Sequence, residues 1–160
     1  MGSPWCWLAG EALGGAPEWL PVHMPGGDVD RVEVEARAAE LGQPEMRWPE
    51  VFPFDSRRAM LAATFAAQSA RGVAFSLAAM RQAFLAGRDL SVIDNVLIAA
   101  AACELHPRAV LGALDRRSVA EALEAAGARA SGLGVQVVPA VVVGGQTWTG
   151  TAAIEAAGRA

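Results

Sequence analysis

Lysine and tyrosine are absent from this 160-residue chain, and cysteine occurs only as Cys6 and Cys103. All 13 basic residues are therefore arginine. None gathers into more than the pairs Arg57–Arg58 and Arg116–Arg117, and the net charge is −4. A sequence-independent phosphate-binding surface needs a basic patch, so no nucleic acid is expected as a partner. Two cysteines make no disulfide framework, and a bridge between them is not expected in a reducing compartment. Long apolar runs are lacking too: the longest, Val96 to Cys103, is too short to span a bilayer. No basic segment followed by an apolar one opens the chain, so the expected location is the cytoplasm, with no membrane contact. Metal-ligand clusters are missing as well. Cys103 and His106 share a helix face, but two ligands do not make a site, so core packing and a helix-end role are expected of them.

What is present is enough apolar material for a core: 53% of residues are hydrophobic and 19% charged. The length suits about one domain and needs no disulfide or metal staple. Ser3-Pro4 opens a short helix through Trp5, Leu8, Ala9 and Leu13, with Ser as N-cap, Pro at the first helical position and Gly14-Gly15 as the stop. Glu18 to His23 reads as an edge or distorted strand because of Pro21. A loop at Met24 to Gly27 follows, and then Asp28 or Asp30 caps a helix to about Leu41. Asp55-Ser56 starts another helix, which Gly72 separates from the next. Ser91-Val-Ile-Asp94 and Ser118-Val-Ala-Glu121 resemble capping boxes; the first opens a helix Ile93–Leu105, and the second one that fades between Gly127 and Gly132. Pro107–Leu114 reads as a short helix between them. Val135–Val143, Gly144-Gly145 and Gln146–Thr149 form a β-hairpin pattern, and Thr151 can cap a last helix, Ala152–Ala157. This order predicts a small α/β sheet layer with a helical block inserted between its halves.

Three segments can carry chemistry. In the first turn of a helix, free N–H groups stabilise an anion such as a thiolate, which Ser3 can reach from one side and Cys6 from the same face. The plain alternative is a capping Ser3 and a small buried apolar Cys6. A cis Val138–Pro139 bond would expose the Val138 backbone to an extended peptide-like ligand; the alternative is a trans Pro139 beginning an edge strand. Thr149-Gly150-Thr151 leaves open amides where a carboxylate can dock, or is an ordinary strand-to-helix turn. Among the tryptophans, Trp5 is the one beside a candidate site; the others read as core.

Taken together, these segments resemble a known family. Ser3-Pro-Trp-Cys-Trp-Leu-Ala-Gly-Glu-Ala-Leu13 is similar to the first helix of DsbA-like thioredoxin-fold proteins. The Ser-Pro start resembles the branch of 2-hydroxychromene-2-carboxylate isomerases and kappa-class glutathione transferases. Phe52-Pro53-Phe54-Asp55-Ser56 resembles the segment leading into their inserted helical domain. Gly134 to Gly145 resembles their cis-proline strand and hairpin, and Thr149-Gly150-Thr151 the turn into their last helix. The resemblance implies a thioredoxin-like domain at residues 1–27 and 116–160 with an all-helical subdomain at 28–115. It implies glutathione or another low-molecular-weight thiol as cofactor and a small-molecule electrophile as substrate. Ser3 would hold the thiolate near Cys6, Pro4 and Trp5. Val138 and Pro139 would bind the cysteinyl backbone, and Gly150 and Thr151 the γ-glutamyl carboxylate.

The chain departs from that pattern at three points. Ser3 stands where dithiol oxidoreductases of the family have their attacking cysteine, so a redox reading must run through Cys6 alone. Ala152 and Ala153 stand where glutathione-using relatives have an acidic residue that meets the ligand's amino group. Only Met1-Gly2 precedes the Ser-Pro helix, where the family has an interior strand, so the first β-strand is expected to be missing from this chain. Unpaired neighbours of an interior strand are costly when buried, and a homodimer completing the sheet is one expected remedy. The leading expectation is a thiol-dependent isomerase or transferase; a Cys6 thiol–disulfide oxidoreductase and a non-catalytic ligand- or partner-binding protein are the alternatives.

Overall fold

The computed structural model describes residues 1–13, 18–24 and 27–159. Among them the chain forms eight helices and two strands: α1 (Pro4–Ala12), α2 (Arg31–Glu40), α3 (Arg57–Gln68), α4 (Gly72–Phe84), α5 (Ile93–Ala101), α6 (Pro107–Leu114), α7 (Arg117–Gly132), β1 (Ala140–Val143), β2 (Gln146–Thr149) and α8 (Thr151–Ala157). The expected stop at Gly14-Gly15 and the middle of the loop at Pro25-Gly26 lie outside the described residues.

Side chains at the helix starts explain several of these boundaries. Ser3 Oγ accepts from the Cys6 N–H at 3.4 Å, with Pro4 in the first turn of α1. Asp30, not Asp28, caps α2 by accepting from the Val32 and Glu33 N–H groups at 2.9 and 3.2 Å. His106 caps α6, its Nδ1 accepting from the Arg108 N–H at 3.2 Å. The two capping boxes are corrected. Helix α7 begins one residue before Ser118, with Arg116 at its N-cap, and Glu121 pairs with Arg117 at 2.7 Å. At α5 the N-cap is Val92, and Asp89 organises the turn by accepting from the Ser91 N–H at 2.7 Å. Helix α5 stops at Ala101 and not at Leu105, because Glu104 takes a left-handed φ of 60° and the Leu105 N–H returns to the Ala100 carbonyl at 3.0 Å. Helix α7 runs on through Gly127 to Gly132, closed by Gly134 at φ 77°.

The sheet is smaller than expected. Strand β1 pairs antiparallel with β2 in the register Ala140↔Thr149 through Val143↔Gln146, around a Gly144-Gly145 turn. Both turn glycines have positive φ, 56° and 81°, which a two-residue hairpin of this hand requires. Residues 135–139 are not in the strand, since β2 is four residues long and offers them no partner. Residues 18–23 form no strand either, because among the described residues nothing pairs with them. No residue ahead of α1 is in a strand. At the last helix, Gly150 takes the N-cap at φ 60° and Thr151 is the first helical residue, so cap and helix both begin one residue earlier than expected.

Packing explains why the first helix sits where it does. Trp7, Leu8, Ala9 and Gly10 are all buried. Helices α8 and α4 both pack on α1. Trp19 lies over Gly10 so closely that a Cβ there would come within 2.7 Å of the indole, so only glycine fits without a shift. A main cluster unites Trp7 and Leu8 with Phe75, Met80 and Phe84 of α4, Val34 of α2 and Ile154 of α8. A second, Met60, Leu61, Ala113, Val119 and Leu123, ties α3 to α6 and α7. No helix among the described residues is long and apolar enough to cross a membrane.

One polar clamp spans the α1–α4 contact. Glu11 accepts from the Trp7 indole N–H at 3.0 Å and from Arg81 through two bonds of 2.7 Å each. The Arg81 hydrogen bonds hold the Glu11 carboxyl below the usual carboxylate range. A carboxylate whose pKa is lowered by folding stabilises the native state above its unfolded pKa, and that contribution fades as pH falls through the folded value. Arg81 is half exposed, so solvent weakens the pair. Glu11→Gln is therefore expected to lose about 1 kcal/mol at pH 7 by urea unfolding. The gap from the parent should narrow steadily below about pH 4; an undiminished gap at pH 3 would assign the loss to packing.

Candidate functional site

Helix α8 links two of the candidate segments to α1 only indirectly. Helix α8 packs on α1 and on both strands. The Gly150 N–H donates to the Pro139 carbonyl at 2.9 Å, fixing the end of β2 beside the beginning of β1. The Val138–Pro139 peptide bond is cis, as is Phe52–Pro53. Pro4 and Pro139 are buried, Ser3, Trp5, Cys6, Val138 and Gly150 half-buried, and Thr151 exposed. Just before α1 the chain runs against the start of α3, where a Cβ on Gly2 would lie 3.5 Å from the Ser56 side chain.

Ser3 and Cys6 share one turn, but their roles differ. The Ser3 hydroxyl accepts the Cys6 N–H at 3.4 Å and keeps its own proton to donate. Cys6 is a free thiol, and burial pushes it up from its ordinary value, with the nearby Ser3 hydroxyl pulling weakly the other way. A nucleophilic cysteine needs the opposite shift and open access. The other free thiol, Cys103, is buried at the end of α5, and burial pushes it up too. His106 is engaged as the α6 cap.

Trp5 and Thr151 line a common cleft of about 280 Å³. Its remaining walls come from α2, through Glu33, Ala36, Arg37 and Glu40, and from Glu155 one turn along α8. Ser3, Cys6, Val138 and Pro139 are not in its lining. A second cleft, of about 510 Å³, lies between α3, α5 and α6 and holds none of the sequence-predicted residues. The sequence reading missed Glu155 and the α2 side chains. Thr151 and Glu155 are four apart on one helix and so share a face, a signal that was available. Nothing in the order of residues places α2 against that face.

Comparisons with known proteins bear on this arrangement. The profile described as a DSBA-like thioredoxin domain matches residues 1–159. No curated protein matches the chain in sequence. Among solved structures, a selenomethionine 2-hydroxychromene-2-carboxylate isomerase (HCCA isomerase) superposes with a TM-score of 0.74 at 14% identity, over 94% of this chain and 85% of that one. At that identity the likeness concerns the fold.

The thiol environment makes a direct forecast. In the folded protein at pH 7, Cys6 should react with iodoacetamide more than about tenfold slower than a free cysteine, as expected of a buried thiol with a raised pKa. Alkylation as fast as that of free cysteine would show an accessible thiol and revive a redox role.

Proposed function

This chain belongs to the DSBA-like thioredoxin domain family, and from that premise we propose that it binds a low-molecular-weight thiol and uses it on a small apolar or aromatic electrophile, as an isomerase or transferase. What supports the reading is the family match together with the packing of α8 on α1 and the Gly150–Pro139 bond at 2.9 Å, which holds the start of the hairpin beside the start of α8. In this reading residues 1–27 and 116–160 hold the thiol, residues 28–115 cover the electrophile, and the protein works in the cytoplasm, where thiols stay reduced.

The residues fit a sulfur atom. Ser3 has a hydroxyl proton to donate, and it stands at the positive end of a nine-residue helix. A thiol bound there would supply a nucleophile that adds to a conjugated electrophile and departs after rotation about the bond it has weakened. Val138, beside the buried Pro139, offers main chain to a peptide-like ligand. Trp5, half-buried in the first turn, gives an apolar face next to it. The fit to glutathione stops at the far end. The cleft beside Trp5 and Thr151 is walled by carboxylates, where glutathione would bring carboxylates of its own. A redox cycle through Cys6 alone is the weaker reading, since the thiol is half-buried and its pKa is raised.

Thermal melting against a panel of reduced thiols tests the proposal. Saturation at about a hundredfold over Kd adds roughly 2.7 kcal/mol, a rise on the order of 5 °C for a chain of this size. Ser3→Ala should lower the melting point by removing the helix cap and, measured from its own baseline, should lose the thiol-dependent rise. A rise retained in Ser3→Ala, or none with any thiol, would overturn the reading.

A further inference from the structure

Strand β1 has one partner and one bare edge. Among the described residues it pairs with β2 alone. The Pro139 carbonyl accepts from the Gly150 N–H, so it is turned toward β2. Successive residues of an antiparallel strand aim their backbone groups to alternate sides. Val141 and Val143 therefore bond to β2, and the N–H and C=O of Ala140 and Val142 point outward with no partner in the sheet. Natural sheets protect such an edge with charged side chains, with a proline in the strand or with a covering element. Here the strand reads Ala-Val-Val-Val, and Val142 and Val143 are 39% and 50% exposed. No charged residue stands between Arg129 and Glu155, the longest uncharged stretch of the chain. Strand β2, in contrast, carries Gln146, Thr147 and Thr149.

We propose that the bare edge of β1 binds the same edge of a second copy of this chain, joining two hairpins into one four-stranded antiparallel sheet. Charge and symmetry select this occupant. Each copy has a net charge of −4, so two copies repel overall and meet at least cost through an uncharged face. The alanine and valine edge is such a face, and it is complementary to itself. With a two-fold axis at Val141, Ala140 of either copy lies opposite Val142 of the other, and each pair exchanges two backbone hydrogen bonds. Val141 meets its counterpart at the axis, a cross-strand contact of β-branched side chains. This pairing closes on itself, whereas head-to-tail pairing would not. Strands of four residues bury less than the roughly 1,000 Å² of a stable interface, so the dimer is a weak one, with a Kd on the order of 100 µM. The paired segment ends before Val138, and the pairing requires no thiol.

Sedimentation velocity of the full chain from about 5 to about 500 µM, with amide hydrogen exchange at both ends of that range, tests the pairing. The sedimentation coefficient should rise from that of a monomer toward that of a dimer. Salt at about 0.5 M should strengthen the association, because screening removes the repulsion and the edge holds no ion pair to lose. The amides of Ala140 and Val142 should exchange about threefold more slowly at the high concentration, while those of Val141 and Val143 are protected throughout. Val142→Pro removes an N–H that the monomer does not use, at a position where an edge strand tolerates proline. It should abolish the association and keep the parent's circular dichroism. A chain still monomeric at about 500 µM, with both amides unprotected, overturns the proposal and leaves the edge to an extended peptide of another protein. Association that weakens with salt, that persists in a folded Val142→Pro chain, or that leaves the exchange of Ala140 and Val142 unchanged places the contact elsewhere and overturns it too. Where Val142→Pro does not fold, exchange in the parent chain decides.

Discussion

Helix α1 is enclosed by its neighbours, and the rest of the architecture depends on that enclosure. Trp7, Leu8, Ala9 and Gly10 are buried in succession, which a helix on a solvent face would not allow. Helices α8 and α4 both pack on it, and α8 packs on both strands, so α1 and α8 together join the hairpin to the inserted helices. Gly10 permits the close approach of Trp19, while Glu11 and Arg81 clamp the exposed rim of the same contact. Buried apolar surface supplies the attraction here, and the polar clamp fixes the orientation.

That enclosure also decides which end of α1 is left for chemistry. With its middle buried, the helix presents its first turn, where Ser3 caps the backbone and Trp5 reaches the cleft. Gly150, at φ 60°, reverses the chain and bonds back to Pro139, which holds the start of the hairpin beside the start of α8. A positive φ of this kind is strained for any residue with a Cβ. The conformational freedom of one glycine thus brings the strand and the last helix together.

Much of this was legible in the residues. Gly72 between two helices, Pro107–Leu114, Asp30 as a cap and the Gly144-Gly145 turn all rest on local chemistry, in which a single side chain or a positive φ decides the outcome. Where a choice depends on partners elsewhere, local reading failed. Residues 18–23 and 135–139 have strand-like sequences, but a strand exists only against another strand, and none of the described residues supplies one. Ser91 and Ser118 fit the capping pattern, yet Asp89 organises the turn before α5 and the Arg117–Glu121 pair sits in the first turns of α7. Of the candidates, Trp5 and Thr151 share a cleft; like Ser3 and Pro139, they stood out through residue type and spacing. The α2 carboxylates did not, because their place depends on how α2 packs over α1.

The central claim is that Ser3, the strand behind Pro139 and the start of α8 form one ligand site. Its most direct test is an amide chemical-shift titration of the isotopically labelled chain with reduced glutathione. The account predicts that the amides of Cys6, Val138 and Thr151 move together and follow one dissociation constant, while those of α6 stay fixed. Movement confined to one of these segments, or none at saturating ligand, would contradict a shared site.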